Sequence, residues 1–119
     1  MKKEQYTNHT PLEYITKDAS TIRELLNPQV LPGIPISLAE AMVEAQASTL
    51  KHQHENFDEI YYCLQGTGTL YINDQPFAFE PGGFYWLPKK TSHYLEAQTA
   101  LRLLCICCPP YNHQQTIML

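Results

Sequence analysis

The chain has 119 residues, 44% of them hydrophobic, enough for one domain around a single buried core and too few for a second. Twelve acidic against eight basic residues give a formal charge of -4, and no basic run exceeds Lys2-Lys3 or Lys89-Lys90, so a nucleic-acid partner is disfavoured. Met1-Lys2-Lys3 leads into the polar Glu4 to Asn8 with no apolar leader, and the longest apolar stretch, Leu101 to Cys108, is short and interrupted by Arg102. The sequence therefore predicts a soluble, cytoplasmic protein with no membrane partner, whose four cysteines are reduced thiols.

In chain order, Leu12 to Ile15 reads as a short strand. Thr16 to Asn27 reads as the one helix: Thr21-Ile22-Arg23-Glu24 fits a capping box, Ile22, Leu25 and Leu26 share a helical face, and Asn27-Pro28 stops it. Pro28 to Pro35, with three prolines and a glycine, is a loop. Short strands follow: Ser37 to His54 as one bent strand or two, then Glu59 to Gln65, Thr67 to Ile72, Pro76 to Phe79, Phe84 to Leu87, His93 to Ala97 and Leu101 to Cys107. Gly66-Thr67-Gly68, Asn73-Asp74-Gln75, Pro81-Gly82-Gly83, Pro88-Lys89-Lys90 and Gln98-Thr99 mark the turns. The expected fold is all-β, a sandwich or barrel over residues 36–108, with an N-terminal arm and short helix in 1–35 and a tail over 109–119.

Chemistry concentrates between Ser48 and Gly66. His52 and His54 stand two apart in a run that alternates, so both imidazoles leave one face of a strand and can converge on one ion. Glu59 opens the next strand, read as the hairpin partner of the first, and sets a carboxylate opposite the imidazoles. His93 begins a later strand behind the Pro88-Lys89-Lys90 turn. Three imidazoles and a carboxylate make a divalent transition-metal site, and these donors suit zinc, iron, manganese, nickel or copper. Asp58 has the opposite strand parity to Glu59. Cys63 shares that parity but lies four residues along, about 13 Å away and too far to bind the same ion. His9 and His113 fall near the termini and read as solvated. Alternation back from His52 turns Leu50, Ser48, Gln46 and Glu44 inward, and alternation from Glu59 does the same for Tyr61 and Cys63. Cys105 and Cys107 read as small core residues of the last strand.

His52-Gln53-His54, Glu59 and Gly66 resemble the first motif of the cupin superfamily, and Gly82, Pro88 and His93 its second. Gln46, Lys90 and Ala97 replace two glycines and an asparagine of the pattern. The resemblance runs from about Leu38 to Cys108 and implies a double-stranded β-helix, or jelly roll, of the small single-domain kind. It also implies a metal held by His52, His54, Glu59 and His93 inside the barrel, beside a small carboxylate or sugar-like ligand. Members of the superfamily include dioxygenases, decarboxylases, isomerases, lyases and plain binding proteins, so the fold does not choose among a metal-dependent isomerase, lyase or dioxygenase, a metabolite sensor and a structural cupin stiffened by its ion. Small cupins commonly pair, and Tyr6, Leu12, Tyr14 and Ile15 suggest a homodimer in which this segment covers a sheet edge of the second copy.

Overall fold

The computed structural model describes residues 12–119. Eleven strands follow in order: β1 (Leu12–Ile15), β2 (Thr21–Leu26), β3 (Ser37–Val43), β4 (His52–His54), β5 (Asp58–Gln65), β6 (Gly68–Ile72), β7 (Gln75–Phe79), β8 (Phe84–Leu87), β9 (His93–Ala97), β10 (Leu101–Cys108) and β11 (Thr116–Met118). They form a six-stranded sheet in the order β1-β2-β3-β10-β5-β8 and a five-stranded sheet in the order β11-β4-β9-β6-β7. Each neighbouring pair is antiparallel. The fold is an all-β jelly roll whose core lies between the sheets, filled by inward residues such as Leu70, Phe79, Leu87, Leu95 and Leu103.

The helix expected within 16–27 is a correction: Thr21 to Leu26 is strand β2, paired on one side with β1 and on the other with β3. Six residues of capping-box pattern offer little helical stability, whereas ladders on both sides, broken only around Leu25, hold the backbone and let Ile22, Glu24 and Leu26 face the interior. A second correction concerns β4 and β5, which are not a hairpin. Glu55, Asn56 and Phe57 carry the chain from one sheet to the other, so the carboxylate does stand opposite the imidazoles, but across the barrel interior. The residues expected as a tail, 109–119, include β11, which pairs Thr116 with His54 and Met118 with His52.

Residues 37–54 form two strands with a turn between them. At that turn Gln46 adopts φ 66°, and Lys90, before β9, adopts φ 63°. These are the two positions where the resembling motifs carry glycine, so the chain keeps the left-handed turns and accepts their strain, about 1 kcal/mol each. Gln46 offsets part of it by donating from Nε2 to the Gln98 carbonyl at 2.8 Å, and the Lys90 amide donates to the His54 carbonyl at 2.6 Å.

Gly66 closes β5 at φ 91°, and a Cβ there would lie 2.1 Å from the Ala100 carbonyl oxygen. Gly66→Ala therefore meets both a conformational penalty and a backbone clash, and is expected to destabilise by about 2 kcal/mol in urea denaturation. An unchanged midpoint would contradict this packing. Cys63, Cys105 and Cys107 are buried and Cys108 is exposed. Burial pushes the Cys105 and Cys107 thiols up, reinforced by the negative charge of Glu59. A thiol reagent is expected to modify one cysteine rapidly in the native protein and all four in denaturant.

Candidate metal centre

β4, β5 and β9 bring the four sequence-predicted residues to one point. His52 and His54 come from alternate positions of β4, and His93 is the Cα partner of His52 across the β4–β9 ladder. Glu59 projects from the facing sheet. All four are buried, and their ligand atoms lie within 4.8 Å of one another. Donors bound at about 2.1 Å to one ion stand about 3–4 Å apart, so a small contraction around a cation would complete the shell. The ring centroids of His52 and His93 are 4.2 Å apart, those of His52 and His54 5.0 Å.

The outer nitrogens decide which lone pairs face inward. His52 Nδ1 lies 2.8 Å from the Leu50 carbonyl and His93 Nδ1 3.2 Å from the Thr91 carbonyl. A carbonyl can only accept, so both Nδ1 atoms carry the proton and both Nε2 atoms present a lone pair to the centre. His54 Nδ1 is bound to Thr116 Oγ1 at 2.8 Å. Phe57 stacks on the His54 ring at 4.4 Å and fixes its plane.

Electrostatics favour a cation at this point. His93 Nε2 is fully buried and has no hydrogen-bond partner. It faces Glu59 Oε1 at 3.4 Å, and His54 Nε2 lies 3.0 Å from the same oxygen. An orphaned buried acceptor beside a carboxylate costs about 1–3 kcal/mol unless a positive group stands between them. Burial, and secondarily the charge of His93, lowers the His52 imidazole to about 4, so its lone pair is free at neutral pH. Burial raises the Glu59 carboxyl, but the neighbouring His54 and His93 outweigh it and hold the group well below the usual carboxylate range. The donor set and the orphaned nitrogen together fit a divalent transition ion.

Other sequence expectations divide. Asp58 points away, accepting from the Lys89 amide at 3.0 Å, and Tyr61 and Cys63 are turned inward and buried. His113 is exposed and bonds to the Tyr111 hydroxyl, and His9 lies outside the described residues. The inward set before His52 is a correction. Leu50 is 53% exposed and Thr49 is buried, because β4 begins only at His52 and the Leu50 carbonyl turns back to the His52 ring. Thr49 is tied to Leu95 through both its amide and its hydroxyl.

Three residues near the centre escaped the sequence reading. Cys107 Sγ donates to Glu59 Oε2 at 3.5 Å, and the two are Cα partners in the β10–β5 ladder. Strand parity places Cys107 inward, but nothing in the sequence gives its register with Glu59. Thr116 comes from the expected tail. Asp18, in the β1–β2 turn, sets Oδ2 3.7 Å from His52 Nε2. A cavity of about 50 Å³ is lined by His52, His54 and Glu59 and is also walled by Tyr14, Asp18, Glu24, Tyr61 and Tyr111.

An antiparallel jelly roll with an imidazole and carboxylate cluster in its interior defines a small barrel whose centre could hold a metal ion. The chain belongs to the cupin family, whose domain model matches residues 39–107. It is 43% identical over 108 residues to an uncharacterised protein of Methanocaldococcus jannaschii, a match covering 89% of this chain and 86% of that one. It is 34% identical over 80 residues to the L-ectoine synthase of Wolinella succinogenes, covering 66% of this chain and 60% of that enzyme. Similar solved structures include a nucleoside dehydratase, with TM-score 0.74 and 14% identity over 92% of this chain and 85% of that one. KdgF from Halomonas sp. aligns with TM-score 0.73 and 16% identity over 91% of this chain and 99% of the other. Among the described residues no helix is long and apolar enough to cross a membrane.

Proposed function

We propose that His52, His54, Glu59 and His93 hold one divalent transition metal, and that the adjoining cavity takes a small carboxylate or sugar-like metabolite for metal-dependent chemistry. The carrying observation is the buried, unpartnered His93 Nε2 aimed at the point where the other donors meet. When bound, such an ion supplies Lewis-acid polarisation of a carbonyl or carboxylate. The protein's own part is to fix the His52 and His93 tautomers through the Leu50 and Thr91 carbonyls, to hold the His54 ring through Thr116 and Phe57, and to exclude bulk water. Curated sequence relatives that make L-ectoine support action on a small metabolite. Four protein donors also suit a closed shell and a purely stabilising ion, but a cavity reaching His52, His54 and Glu59 favours an open position.

Elemental analysis of protein purified without chelator should give one metal per chain, and a thermal-shift screen of small hydroxy- and oxo-carboxylates and sugars should then find ligands only for the loaded form. Stabilisation by the metal with no ligand among them would favour the structural reading.

We also propose a homodimer; Tyr6 of the N-terminal segment lies outside the described residues and Ile15 is 73% exposed, and a second surface is available in addition to that segment. Tyr14 of that segment turns inward, its hydroxyl donating to Glu24 Oε1 at 2.9 Å. The outer faces of β5 and the edge strand β8 instead expose Ile60 and Tyr62 beside their cross-strand partners Trp86 and Phe84, the last two 64% and 78% exposed. Such an apolar patch next to an unpaired edge meets its own copy in a twofold arrangement. Light scattering should give twice 13.7 kDa, falling to the single-chain mass in Trp86→Asp. A single-chain mass for the wild type would end the proposal.

A further inference from the structure

The turn between β1 and β2 is built around one carboxylate. The Thr16 amide donates to the Ser20 carbonyl at 2.9 Å, and Ala19 takes a left-handed conformation at φ 73°. Asp18 Oδ1 receives the Ser20 amide at 3.1 Å, the Ser20 hydroxyl at 2.7 Å and the Thr16 hydroxyl. Its backbone carbonyl receives the Leu50 amide at 2.7 Å. The residue is thus held at its main chain and at one side-chain oxygen, at 9% exposure, while Oδ2 faces the cavity with no donor on it. Oδ2 stands 3.7 Å from His52 Nε2, beyond hydrogen-bond length, and Asp18 lies outside the cluster whose four donor atoms come within 4.8 Å of one another.

The remaining charges of the cavity wall are already engaged. Glu24 accepts from the Tyr14 hydroxyl on Oε1 and from Asn27 Nδ2 on Oε2. Lys17 Nζ turns to the His113 and Thr116 carbonyls at 2.8 and 3.5 Å. Beside the metal position the cavity therefore offers one free, aimed acceptor. A carboxylate oxygen that no protein group donates to can take a charge-assisted hydrogen bond from a hydroxyl on the bound ligand.

Resting on the metal-site reading above, we propose that Asp18 Oδ2 receives the hydroxyl proton of a ligand whose neighbouring carboxylate or carbonyl oxygen is on the metal. The substrate class is then a small α-hydroxy acid or α-hydroxy carbonyl compound, and a plain carboxylate of the same size is discriminated against. Asp18 binds and orients; it is not a metal ligand.

The test uses the full chain loaded with cobalt(II), with glycolate and methoxyacetate as probes, each titrated by calorimetry and by the cobalt absorption bands. Both probes can chelate, but only glycolate has a proton to give. Wild type should bind glycolate about tenfold more tightly, and Asp18→Asn, which keeps the shape, should reduce that ratio to about threefold or less. Ser20→Ala, which frees the carboxylate to swing, should reduce it by a smaller factor and covers the case in which Asp18→Asn fails to fold. An unchanged ratio in either folded variant overturns the proposal. So does a folded Asp18→Asn that no longer retains stoichiometric cobalt, which would make Asp18 a ligand. A wild type that takes up no cobalt overturns the metal reading itself, and this inference with it.

Discussion

His93→Ala is expected to abolish metal retention and, with it, the metal-dependent part of the protein's stability. His93 is the most buried of the four candidate ligands, 1% exposed, and among the described residues its Nε2 is the buried side-chain nitrogen or oxygen without a partner. Removing the ring leaves two imidazoles and one carboxylate around a wider space, and the ion loses a neutral donor that is already oriented by the Thr91 carbonyl. At metal a thousandfold above its dissociation constant, binding adds about 4 kcal/mol to the stability of the wild type, and the variant forfeits that increment. Elemental analysis should fall from one metal per chain to a small fraction. The melting temperature of the variant should be indifferent to added metal or chelator, while His113→Ala should behave as wild type. Full occupancy in His93→Ala would mean that β9 contributes no ligand.

How far the site can be read from the chain follows from the kind of information each residue carries. His52 and His54 are readable because a spacing of two in a strand has one geometric meaning, and Glu59 because it opens a β-branched and aromatic run. Even there the reading is incomplete. Local pattern sets parity but does not tell a hairpin from a crossover between sheets, so the carboxylate arrives from the opposite wall. Thr21 to Leu26 fails for a related reason: a capping box and three apolar residues satisfy helical periodicity, and only the ladders to β1 and β3 tip the segment to strand. Asp18, Cys107 and Thr116 reach the centre by tertiary register alone. Gln46 and Lys90 teach the converse, since their left-handed backbones show the tertiary fold imposing turns that glycine would take freely.

Stability of the chelated protein is expected to fall as pH drops from about 6.5 to about 4, chiefly through His52. Burial and the neighbouring His93 place its imidazole at about 4 in the folded state, against an ordinary value of 6.5. Between these values the unfolded chain binds a proton that the folded chain refuses. The sign follows: stability is fully present above 6.5 and is lost as pH falls toward the folded value. At about 1.4 kcal/mol for each tenfold change in proton affinity, the gap between 6.5 and about 4 gives a loss of about 3.5 kcal/mol once pH is below both values. Glu59 adds to it in the same direction but lower down. Its folded value is depressed, so its contribution begins to disappear only below the ordinary carboxylate range, near 4.5. Urea midpoints measured with chelator at pH 7, 5.5 and 4.5 should therefore decline, and more steeply at the acid end. His52→Asn, which has no titrating ring, should remove about one proton from the slope between 6.5 and 4.5. An equal slope in wild type and variant would show that the folded protein protonates His52 as readily as the unfolded chain does, and the buried, neutral imidazole inferred at the metal position would be wrong.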